Sequence, residues 1–324
     1  DHQFRQITEL LQSEIVSDHP EIQFELGHAH RIYSAIKATT LNRPRRLTTI
    51  WNPDSRVPGA VPFSPSLRRN AEIAIQLLDD ALAIFDTIKS AEDYESKPES
   101  FRSRVDLERA RCFREKGVIV MSSRRDADLM EQSFDEATSI LLRLANRNGQ
   151  EKGIMEYELA LTTLQSFRET SRRAPERAAS AVRLARGFVD VSPGVPKYQT
   201  LLALALEKSG RVAFVKNNFA QAKDDFEAAI TIYRSLLEET PNQPNYRLRL
   251  TTSEVFLAKA VYRDGDTQTA RKIVERVIRK SRDSLGASGR RWKPPPQIEE
   301  FLSELSDQLD RPDSSARPRR RGEL

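Results

Sequence analysis

The chain repeats itself at a fixed interval. Pro193, Pro196 and Tyr198 return 48 positions later as Pro241, Pro244 and Tyr246 (193 to 241), and the same offset carries Gly210, Ala222, Phe226, Ala229, Ile230 and Leu237 onto Ala258, Ala270, Val274, Val277, Ile278 and Leu285. Two copies of one pattern therefore occupy 193–237 and 241–285. A period of this size marks a supersecondary unit that cannot bury its own apolar face and must stack on its neighbours. The fold class expected is all-α, an α-solenoid of stacked helix pairs.

Composition agrees with stacked amphipathic helices. Charged residues make up 31% and hydrophobic ones 38%, while only 12 Gly are present, too few for the many tight turns of a strand-rich fold. No apolar run approaches the roughly 18 residues a membrane span needs; the longest apolar cluster is Leu201–Leu206. The single cysteine, Cys112, excludes an intrachain disulfide and a multi-Cys zinc site. The net charge of +5 falls to about +2 once Arg311 and the arginines of 317–321 are set against Asp313 and Glu323 in the last residues. A cytoplasmic location is expected.

Along the chain, Phe4, Ile7, Leu10, Leu11 and Ile15 give 3–17 a helical rhythm that Pro20 stops. A second helix is expected over 21–37, on Phe24, Ala29, Ile32 and Ala35. The chain thus opens inside a repeat, without an initiator Met, which predicts that it continues N-terminally in a longer protein. A Pro-rich insertion is read at 41–70, with Trp51, Phe63 and several arginines, lying between two paired helices. Further helices are expected at 70–89, 101–121, 126–146, 151–171 and 174–189, followed by the two clear repeats. A breaker and capping helix fill 286–310, with Ile298, Phe301, Leu302, Leu305 and Leu309 on one face, and an Arg-rich tail at 311–324 is expected to be disordered.

Within the repeat, small residues at Gly210 and Ala222, Phe219 three before that alanine, Phe226 four after it, and then Ala229 resemble the tetratricopeptide repeat. Asn217-Asn218 and Gly265-Asp266 supply the tight turn, where left-handed backbone is tolerated. The resemblance implies about five TPR-like helix pairs winding into a right-handed superhelix. The interval exceeds the repeat's usual length of about 34, and the second helix of each pair is expected to be longer by about two turns. The Pro-x-x-Pro-x-Tyr opening looks like that of extended tetratricopeptide arrays fused C-terminally to some bacterial Ser/Thr protein kinases. That implies a regulatory or partner-recruiting part of a signalling protein. No Gly-rich phosphate loop or Asp-Phe-Gly is present, and Arg124-Arg125-Asp126 lacks the Asn of a catalytic loop.

In such arrays the first helix of each pair lines the concave face. That register points to Leu204, Glu207, Arg211 and Phe214 in one repeat and Thr252, Val255, Lys259 and Tyr262 in the next. Mixed apolar and charged residues suit an extended peptide or a partner helix. The job expected is therefore a non-catalytic protein–protein interaction scaffold, with Glu207, Arg211, Phe214, Val255, Lys259 and Tyr262 as its partner-binding residues. The second reading is a nucleic-acid-binding helical repeat that uses its basic tail and surface. An enzyme finds no nucleophile–base pair, no paired carboxylates and no metal set in the sequence, so no cofactor, metal or small-molecule substrate is expected. His28 and His30, two apart, fall on different sides of a helix and read as surface histidines. Cys112, flanked by Arg111 and Arg114, reads as a small packed residue.

Overall fold

A computed structural model describes residues 19–39, 65–123, 126–146, 152–283, 302–303 and 306–307. Among them there is no strand, and no helix is long and apolar enough to cross a membrane. Ten α-helices follow in order: α1 (Pro20–Thr39), α2 (Pro65–Ser90), α3 (Glu99–Ser123), α4 (Ala127–Ala145), α5 (Lys152–Gln165), α6 (Ala174–Val191), α7 (Pro196–Val215), α8 (Phe219–Glu239), α9 (Pro244–Arg263) and α10 (Thr267–Asp283).

They form two compact units, which divide between Ser166 and Phe167. In the first, each helix from α1 to α5 packs on the next, and in the second the same holds from α6 to α10. First helices of neighbouring pairs also touch: α1 meets α3, α3 meets α5, and α7 meets α9. Each unit is thus an all-α, solenoid-like stack, in which a helix is buried by its sequence neighbours.

The repeat offset is written into the backbone. Asn217 and Gly265 hold φ of 60° and 98°. One residue on, the Asn218 side chain accepts from Gln221 N–H at 3.3 Å, and the Asp266 side chain accepts from Thr269 N–H at 2.9 Å. In each turn the amide of that capping residue also reaches back, to Ala213 O at 2.9 Å and to Val261 O at 3.1 Å. A left-handed residue ends one helix, and the next residue caps the following one. Proline in the first turn, where the missing N–H has no helical partner, starts α6, α7 and α9.

Where first and second helices cross, a glycine lies under a phenylalanine. A Cβ on Gly27 would come within 2.7 Å of the Phe85 ring, one on Gly117 within 2.9 Å of Phe134, and one on Gly210 within 2.9 Å of Phe226. All three rings are buried. Removing the Cβ lets the helix axes approach until the ring fills the space between them.

Several boundaries differ from the sequence reading. The extra length of the repeat is shared: α7 has 20 residues and α8 has 21. Short links, 216–218 and 240–243, leave the added residues nowhere else to go. The Pro-rich insertion ends earlier than expected, because Pro65 opens α2 as a first-turn proline instead of breaking it. The helix expected over 151–171 stops at Gln165. The helix read at 3–17, residues 41–64 with Trp51 and Phe63, and the tail at 311–324 lie outside the described residues. So does most of 286–310, although Leu302 of the expected cap is buried with Val255, Ile273 and Val277 in one core.

Candidate partner-binding face

The predicted site falls on the seam between α7 and α9, two first helices of the second unit. Four contacts climb that seam. Thr200 Oγ1 donates to Tyr246 Oη at 3.2 Å. Arg249 Nη1 donates to Glu207 Oε1 at 3.2 Å. The guanidinium of Arg211 lies 5.9 Å from the Phe256 ring centre, and Lys259 Nζ lies 5.5 Å from that of Phe214. One ion pair is followed by two cations over rings, so the two helices are locked by charge as well as by packing.

The six residues named from the sequence divide sharply in exposure. Glu207 is 1% exposed, Val255 is fully buried, and Phe214 is buried against Phe219 at 5.6 Å. Thr252, from the wider register, is buried too and bonds Leu248 O at 2.8 Å. Arg211, Lys259 and Tyr262, with Leu204, keep partial exposure. The reason is visible in α9, where all eight residues of 251–258 are buried. A helix enclosed on every side cannot offer a full face to solvent.

Glu207 is the anchor of this seam. It also lies 3.7 Å from Arg211 Nη1, and Tyr233 Oη donates to its other oxygen at 3.4 Å. Burial, together with the negative charge of Glu207, pushes the Tyr233 phenol far above its ordinary value. Arg211 reaches further, placing Nη2 3.2 Å from Glu169. Burial alone would raise the Glu169 carboxyl, but Arg211 and Lys208 outweigh it and hold it below the usual range. Lys208 itself sits 4.1 Å over the Phe167 ring, and burial brings its amine down to about 8 despite Glu169.

The first unit adds a charged network to the Phe24–Phe101 contact of its seam, and this network was not legible in the sequence. Arg31 Nε donates to Glu108 Oε2 at 2.6 Å and Arg31 Nη1 to Glu115 Oε1 at 2.7 Å. Arg111 bridges Glu108 at 2.7 Å and Glu158 at 2.6 Å, and Arg114 also donates to Glu158. Three guanidiniums balance three carboxylates in a half-dry setting. Burial tends to raise all three acids. The arginines win at Glu108 and Glu158, which end below the ordinary value, whereas burial wins at Glu115.

A signal for this layer does exist. Glu158, Glu207 and Glu254 recur at intervals of 49 and 47 (158, 207, 254), each on a first helix, and all three are buried. They hold neighbouring helices in register.

Other readings change. His30 is buried, not a surface histidine, and burial lowers its pKa although Asp80 Oδ2 lies 4.0 Å away. His28 Nδ1 is 3.2 Å from Glu108 Oε2. Cys112 is fully buried, and burial lifts its thiol well above the ordinary value, so Arg111 and Arg114 do not activate it. Asp126 caps α4 through Leu129 N–H at 2.9 Å. Among the described residues no group of His, Cys, Asp and Glu is placed to hold a metal ion.

Comparison with known proteins adds no family. No family model matches this chain, and no curated protein matches it.

Proposed function

We propose that this chain is a non-catalytic scaffold of tetratricopeptide-like helix pairs that holds a peptide or helix of a partner protein along the seam of α7 and α9. The observation supporting it most is one turn-and-crossing device recurring at a fixed offset. Asn217 and Gly265 share the left-handed position, Asn218 and Asp266 the capping position, and Gly210 and Ala258 the crossing position. This device lays first helices side by side, and side-by-side helices form the kind of extended face that repeat arrays use to grip another chain. Arg211, Lys259 and Tyr262 carry the exposed chemistry there. Arg211 and Lys259 are already ordered against Phe256 and Phe214, so binding costs them little rotamer freedom.

Affinity capture from an extract of the source cell, with wild type beside Lys259→Glu/Tyr262→Ala, tests the reading. It requires a discrete protein that wild type retains and the variant loses while still melting cooperatively. A protein held equally by both, or released by nuclease, contradicts it.

A further inference from the structure

We propose that the exposed face of α10, with Arg234 of α8 beside it, docks an acidic segment of a partner protein. This rests on the scaffold reading and adds the chemistry by which the partner is held.

The face is set by helical geometry. Ala270, Ile273, Val274 and Val277 are buried in the core, while Arg271, Lys272, Arg276, Arg279 and Lys280 are exposed. Over 267–280 these five cations stand against Glu275 alone, a net of +4. The second helices of the other pairs differ. By the same counting α2 is −1, α4 is −3, α6 is +1 and α8 is −3. A face that only kept the protein soluble would mix both signs as those do.

Glu254 organises the edge of this face. Its Oε1 lies 2.8 Å from Arg234 Nη2, 3.5 Å from Lys280 Nζ and 4.0 Å from Arg276 Nη2. The carboxylate is 2% exposed, yet the three cations it gathers stay 44%, 49% and 47% exposed. Three positive heads held on one buried acid leave a net of +2 and outward N–H groups for a further acceptor. The cluster already takes a carboxylate, and arginine forks match carboxylates with paired hydrogen bonds. From Lys272 to Arg279, which lie on one side of the helix, the stripe is about 10 Å long at about 1.5 Å per residue, the reach of about three extended residues. The sequence of α10 contains no aromatic residue on which bases could stack. Its apolar side is occupied by the core, so nothing remains to enter a bilayer.

The test is fluorescence anisotropy with a labelled peptide of alternating Asp and Glu at physiological salt. Three proteins are compared: wild type, Lys272→Glu/Arg279→Glu, and Arg183→Glu/Arg186→Glu on α6 as an equal charge change elsewhere. The proposal requires binding by wild type, weakening of about tenfold or more in the α10 variant, and a change below about twofold in the α6 variant. Lys272→Gln/Arg279→Gln replaces the reversal if that variant fails to fold. Absence of binding, or equal weakening in both variants, overturns the proposal. So does tighter binding of single-stranded oligothymidine that disappears with the same α10 pair, because the face would then serve nucleic acid. Lys259→Glu lies outside this face, so the two readings fail separately.

Discussion

The ring of Phe226 occupies the space a side chain on Gly210 would need, with an ideal Cβ there only 2.9 Å from Phe226 Cε1. One repeat later the same two positions hold Ala258 and Val274, both buried. Volume has moved from the second helix to the first while the crossing is kept.

This exchange predicts a rescue. Gly210→Ala gains about 1 kcal/mol of helix propensity but overpacks the crossing by about 1–3 kcal/mol, for a net loss. Phe226→Val opens a cavity and costs about 2–4 kcal/mol. The double variant, which copies the next repeat, should lose at least about 1 kcal/mol less than the two singles together. Urea unfolding of all four proteins measures the coupling, and strict additivity would show that the positions do not share volume.

Glu158 pairs with two guanidiniums at once, those of Arg111 and Arg114. Glu158→Leu therefore leaves buried positive charge uncompensated and should cost about 3–5 kcal/mol. Removing one cation with it in Glu158→Leu/Arg114→Met restores the charge balance and should cost less than that single change, as read from thermal melting.

Acid should weaken the first unit in a defined order. His30 is buried with a lowered pKa, so the unfolded chain takes up its proton first, and stability falls as pH drops below about 6.5. Glu108 and Glu158 also sit below their ordinary values. Their contribution is complete above about 4.5 and is lost as pH falls through their folded values. Glu115, raised by burial, opposes part of that second loss. His30→Gln should flatten the stability profile just below about pH 6.5 and leave the lower limb in place. An unchanged profile would remove His30 from the account.

Lys208 predicts the opposite limb. Its amine titrates at about 8 in the folded chain, against about 10.4 when unfolded. Between those values the unfolded chain binds more protons, so stability should rise with pH across that window. Denaturant midpoints of wild type and Lys208→Met measured through the window check this. A slope that survives in the variant would assign it to another group.

How much was readable follows from what each feature needs. The turns at Asn217 and Gly265 were legible because a left-handed backbone restricts residue choice locally, and the offset repeats that restriction. The Gly210–Phe226 crossing was legible because close packing restricts the small residue there, and the offset repeats it as Ala258. Gly27 under Phe85 and Gly117 under Phe134 were not, since their separations along the chain differ from one another and from that of the clear repeats. The charged seams were missed because a glutamate in a helix looks solvated until its arginine is known, and that arginine comes from another helix. Thr251, Thr252, Ser253 and Glu254 look like surface by composition, yet α9 is enclosed there on every side.

The central claim is that the α7–α9 seam holds another protein. The most direct measurement places a photo-crosslinking amino acid at Tyr262 and, as a control, at the exposed Thr231 of α8, in the source cell. The account predicts a discrete, protease-sensitive adduct from position 262 that is absent from 231 and reduced by Lys259→Glu. Identical adducts from both positions, or a nuclease-sensitive adduct from 262, would contradict it.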